Sequence, residues 1–72
     1  MQMNMQWEDA PDILTVREAA KLVRIGKNQM YELCRINDFP QVTIGRNIRI
    51  PKEALRHWLD MQAENKAIIK VG

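Results

Sequence analysis

Lys27, Asn28, Tyr31 and Arg35 recur at three- and four-residue spacing, and a helix turns residues so spaced onto one side. Their chemistry is recognition. An asparagine amide can bond an adenine edge in two places, a lysine or arginine can take guanine or a phosphate, and a phenol can donate to a phosphate. Gln29 lies nearer the apolar boundary and is the weaker candidate. Glu32 suits no phosphate, although a carboxylate can accept from cytosine N4. On the opposite side stand Met30, Leu33 and Cys34 with Asn37, a side that must be buried. The bland alternative is a solvated helix face on which Tyr31 is an ordinary exposed aromatic.

Two further groups carry cations. Residues 42–50 alternate in polarity like a hairpin, so that Val42, Ile44, Ile48 and Ile50 face in while Thr43 and Arg49 face out. Gly45-Arg46-Asn47 reads as a three-residue loop with Asn47 in the left-handed position, which stands Arg46 at the tip. A tip arginine suits a narrow minor groove, Arg49 a backbone phosphate, and Thr43 the same run of phosphates more weakly. Strand-surface charge alone is the competing reading. Arg17, Lys21 and Arg24 lie along or just past an earlier helix, where phosphate contacts occur in such motifs; Arg17 and Arg24 are the pair selected.

Catalysis finds no support. His57 has no acid, cysteine or second histidine at useful spacing. Cys34 is the one cysteine, which leaves no internal disulfide and no cysteine set for zinc, and it reads as a core filler. No phosphate-cradling glycine loop or nucleophile–base pair occurs, so we expect a non-enzyme with neither cofactor nor metal. The chain of 72 residues suits one domain. No apolar run approaches the roughly 20 residues that span a bilayer, and residues 1–7 lack a leader's apolar core, so no membrane role and a cytoplasmic location are expected. Net charge is +2 overall, but residues 13–59 hold nine basic against four acidic side chains, or +5, while residues 1–12 hold three acids and no base. The cations gather where a fold is predicted, as a polyanionic partner requires.

The elements that would position these groups follow in order. Residues 1–12 read as a flexible tail in which Trp7 alone is able to fold back over the core. Thr15 and Glu18 form a capping box, with Leu14 before it as a staple. Val16, Ala19, Ala20 and Val23 then give one apolar stripe, a helix over Val16–Val23. Arg24-Ile25-Gly26 is a tight turn, and Gly26 caps a second helix ending near Ile36-Asn37, before the turn chemistry of Asn37-Asp38 and Pro40. After the hairpin, Pro51 opens a third helix over Lys52–Glu64, where Leu55, Trp58, Leu59 and Gln62 repeat the stripe. Residues 65–72 show no capping pattern and form a frayed or interaction tail. The expected class is α+β: a small winged helix-turn-helix domain over residues 13–64, three helices with a two-stranded β-hairpin wing.

Leu14-Thr15-Val16-x-Glu18-Ala19-Ala20, the helix bearing Tyr31, Phe39-Pro40, Ile44-Gly45-Arg46-x-x-Arg49-Ile50 and Leu55-x-x-Trp58-Leu59 together resemble the excisionase-family helix-turn-helix domain. That family is similar in turn to winged-helix DNA-binding domains of the MerR type. Arg24-Ile25-Gly26-x-Asn28 is especially similar to excisionases of conjugative transposons, although most members carry Gly where Arg24 stands and Ser or Thr where Gly26 stands. The resemblance implies a recombination directionality factor. Such a factor places the second helix in the major groove and the wing over the backbone or minor groove. It binds double-stranded DNA near a mobile element's ends, bends it, and helps an integrase favour excision. Residues 67–71 are apolar enough to meet that integrase or a neighbouring copy on DNA. A small transcriptional repressor of the same fold, or a protein-interaction adaptor, is the alternative.

Overall fold

Leu14, Met30, Ile50 and Leu55 are completely buried, and each comes from a different element. Burying one such side chain is worth about 1.5–3 kcal/mol, so these four draw the chain round one centre. The computed structural model describes residues 6–71. Its elements are β1 (Ile13–Leu14), α1 (Val16–Val23), α2 (Lys27–Cys34), β2 (Val42–Ile44), β3 (Asn47–Pro51) and α3 (Lys52–Glu64). This is an α+β winged helix-turn-helix arrangement with a three-stranded antiparallel sheet, in the order β1-β3-β2.

The capping box forms as the letters require. Thr15 Oγ1 accepts from the Glu18 amide at 3.2 Å, and Glu18 Oε1 accepts from the Thr15 amide at 2.9 Å. Val16, Ala19, Ala20 and Leu22 bury the inner side of α1, and the two alanines leave room for α2. Met30, Leu33 and Cys34 bury the inner side of α2. Phe39 and Trp58 close the core edge to face, with ring centroids 5.0 Å apart.

The wing departs from expectation. Ile44 pairs with Asn47, Thr43 with Ile48 and Val42 with Arg49. The loop is therefore two residues long, and its left-handed residue is Gly45 (φ 61), not Asn47. Glycine at the first of two central positions is the type II′ pattern, whose twist matches that of the strands. A one-residue change of register turns a strand over. Val42 and Ile44 thus share a face with Arg49 and are exposed, while Thr43 shares the face of Ile48 and buried Ile50. The expected inward Val42 and Ile44, and the joint outward Thr43 and Arg49, are corrected accordingly.

The sheet also gains an unforeseen strand. Ile13 pairs with Pro51 and Leu14 with Ile50, so the residue expected as a helical staple is also a sheet residue. Upstream of it, the segment read as a tail is held from Gln6 onward; the expectation for residues 1–5 lies outside the described residues. Trp7–Asp9 make one turn of 3-10 helix, Ala10 enters the core, and Trp7 packs partly against it. Lys52 secures this segment. Its Nζ donates to the Trp7 carbonyl at 3.0 Å and the Ala10 carbonyl at 2.9 Å, with an Asp12 carboxylate oxygen at 4.0 Å. Arg56 adds a guanidinium 5.7 Å from the Trp7 ring centroid, within cation–π range.

The third helix ends in a Schellman turn. The Ala67 amide reaches the Gln62 carbonyl and the Lys66 amide the Ala63 carbonyl, with Lys66 left-handed at φ 52 where glycine is usual. Residues 65–67, expected to show no cap, therefore form a defined one, and the expectation for residue 72 lies outside the described residues. Beyond it Ile69 and Val71 lean on the core, and Ile68 is 87% exposed.

Candidate nucleic-acid interface

α1 and α2 are joined by Arg24, Ile25 and Gly26, and this turn fixes how α2 is presented. Arg24 adopts φ 68, ψ 44, and its amide and that of Ile25 both reach the Ala20 carbonyl. A single left-handed residue thus reverses the chain within three residues, and Ile25 tucks against the core. Gly26 caps α2 in an extended conformation that any residue could adopt. Gln29 supplies what Gly26 lacks: its Oε1 accepts from the Gly26 amide at 2.9 Å. Gln29, expected nearer the apolar boundary, is exposed, and its side-chain oxygen is engaged in starting the helix.

With its inner side buried, α2 turns Lys27, Asn28, Tyr31 and Arg35 to solvent. The helix stops at Cys34, two residues short of the expected end, so Arg35 is its C-cap and projects from the last turn. The Arg35 side chain is 81% exposed and meets Glu32 only at 3.9 Å, an exposed pair of the kind worth about 0–1 kcal/mol. Glu32 thus holds Arg35 only weakly.

Between α2, the start of α1 and the wing lies an open cleft of about 330 Å³. Arg17, Tyr31, Arg46, Asn47 and Arg49 line it together with Thr15. Residues placed by sequence in three separate groups thus meet here: Tyr31 from the helix, Arg46 and Arg49 from the wing, Arg17 from α1. Three guanidiniums and a phenol around one concavity can hold an anionic chain. Arg49 is half-buried, and one arm of its guanidinium donates to the Ile48 carbonyl at 2.9 Å. Lys27, Asn28 and Arg35 lie outside the cleft along α2, Arg24 at the turn, and Thr43 on β2.

Not every cation faces this side. Lys52 and Arg56 are engaged by the N-terminal segment, and neither was separated from the rest by sequence. A signal for Lys52 existed: a lysine in the first turn of a helix has the wrong sign for the helix dipole and needs another reason to be there. His57 is exposed, and Cys34 is buried within the core. Among the described residues no helix is long and apolar enough to cross a membrane.

Residues 13–63 match a family model described as a helix-turn-helix domain. Two curated relatives from Mycobacterium tuberculosis, strains CDC 1551 / Oshkosh and ATCC 25618 / H37Rv, each carry the name "Putative DNA-binding protein". Both are 35% identical to this chain over 48 residues, 67% of this chain and 62% of the relative. The chain therefore spans under two thirds of the length of these relatives. No solved structure matches it.

Proposed function

The chain belongs to the helix-turn-helix domain family, and from that premise we propose that it binds a specific sequence in double-stranded DNA. α2 enters the major groove, the wing tip reaches the adjacent minor groove, and the phosphates between them run through the arginine-lined cleft. Asn28 and Lys27 read base edges; Tyr31 and Arg35 serve bases or phosphates; Arg17, Arg24 and Arg49 hold the backbone, with Thr43 a lesser contact. The observation that carries this reading is the open outer side of α2. Its four recognition residues stay exposed, covered by neither wing nor termini among the described residues.

The finer reading, resting on the resemblance in sequence, is an excisionase that binds near the ends of a mobile element and assists its integrase. This work needs no chemistry from the chain itself. Exposed Ile68 offers the integrase or a neighbouring copy a point of contact, whereas Ile69 and Val71 pack, partly buried, against the core.

Fluorescence anisotropy against a duplex selected in vitro tests the first step. Six cations (Arg17, Arg24, Lys27, Arg35, Arg46 and Arg49) lie on the proposed DNA-facing side, and each one that meets a phosphate adds about 0.9 to the slope of log affinity against log salt. A slope of several units supports DNA binding; a flat response favours the adaptor. For the finer reading, removing the protein from a cell that holds the element and its integrase should lower the excised circle measured by PCR. An unchanged yield of circle, with transcription near the element altered, favours the repressor.

A further inference from the structure

Ile44 ends β2 and is 62% exposed, more than any other large apolar side chain in the sheet. The two-residue turn puts it there, by pairing it with Asn47 and not with Ile48. At that position an aliphatic side chain adds nothing to the core, and its cross-strand partner is itself exposed. Arg46, at the turn, and Asn47 stand beside it, both open to solvent. Arginine and asparagine are groups that read the minor groove, and an arginine is drawn into it where it narrows. An aliphatic side chain beside them is what minor-groove proteins use to part a base step, unstacking it and kinking the duplex by some 20–90°.

We propose that Ile44 is a wedge with which the wing kinks DNA, while Arg46 and Asn47 anchor the tip in the minor groove. This rests on the DNA-binding reading above and deepens it. The hairpin is built to bear the load. β2 is paired with β3 at three positions, and β3 is tied on its other edge to β1. The step opened is a pyrimidine–purine one, TA or CA/TG, since these unstack most easily. Val42 lies on the same face, also half exposed, but two residues further from the tip. A wedge needs only Ile44, whereas a protein-docking face would use both.

The test uses the full chain and a duplex selected in vitro by the native protein. End-to-end energy transfer reports bending, and 2-aminopurine beside the wing's step reports unstacking. Ile44→Thr keeps the β-branch and removes the apolar tip. It should lose about half or more of the bend and of the 2-aminopurine signal, with affinity reduced less than about tenfold. Ile44→Leu should retain both signals, and Val42→Thr should match the native chain. Thermal melting of each free variant reports its fold directly. A native bend in Ile44→Thr overturns the wedge. So does an equal loss in Val42→Thr, and concentration-dependent sedimentation of the free chain abolished by either change would mark the face as a contact between copies. Failure of the native chain to bind any duplex would overturn the DNA-binding reading itself.

Discussion

Replacing Arg24 with glycine should make the protein more stable and a poorer ligand for DNA. Arg24 sits at φ 68, and the left-handed region costs an L-residue roughly 1–2 kcal/mol. Glycine removes that cost but returns roughly 0.5–1 kcal/mol through the freedom it gives the unfolded chain. Taking the middle of each range, the net gain is about 0.75 kcal/mol. For a chain of 72 residues, at about 4–8 °C per kcal/mol, Tm should rise by about 3–6 °C. Both amides of the turn still reach Ala20, so α2 keeps its orientation. Binding changes the other way: without one phosphate contact the slope of log affinity against log salt falls by about 0.9. Circular dichroism melts and an anisotropy salt series measure the two effects, and Arg24→Ala separates them by removing the charge while keeping the strain. A lower Tm in Arg24→Gly would refute the strain argument, and an unchanged salt slope would remove Arg24 from the interface.

Arg35→Ala and Arg46→Ala should each weaken DNA binding by about 1–3 kcal/mol with unaltered melting, as anisotropy and circular dichroism would show. Trp58→Ala should cost about 3–5 kcal/mol, because it empties the site packed against Phe39, and denaturant titration measures the loss. Lys52→Met removes two charge-assisted hydrogen bonds, each worth about 1.5–3 kcal/mol. Hydrogen exchange should then quicken at residues 6–12 before the rest of the domain, while DNA affinity holds. Burial raises the Cys34 thiol above its ordinary range, so the folded state resists losing that proton. The thiol's contribution is intact below the unfolded thiol's range and is lost as pH climbs from there through the raised range of the folded one, and Cys34→Ala should show a shallower alkaline fall in stability than the native chain.

The helices were largely legible because their signals are local. Thr15 and Glu18 announce their own capping box, and the apolar stripes of α1 and α3 need no partner to be seen. The wing was harder. Whether Gly45 or Asn47 is left-handed decides between a two- and a three-residue loop, and that choice turns Val42 and Ile44 from core to surface. Alternation in β2 is the same on either reading, so only pairing resolves it. β1 is too short to have a period, and it exists because β3 offers it an edge. The Lys52 clamp joins residues more than forty positions apart, beyond the reach of any local pattern. In the candidate interface, residue types and helical spacing found the outer side of α2. That Arg17, Tyr31, Arg46 and Arg49 border one cleft is a fact of tertiary packing alone.

The central claim is that DNA lies against the outer side of α2 and the wing tip. Titrating the isotope-labelled protein with its selected duplex, and following each amide by NMR, tests it most directly. The amides of Lys27, Asn28, Tyr31, Arg35 and Arg46 should shift most, and those of His57, Asp60 and Glu64 on α3 should stay in place. Shifts gathered along α3, with α2 and the wing unmoved, would contradict it.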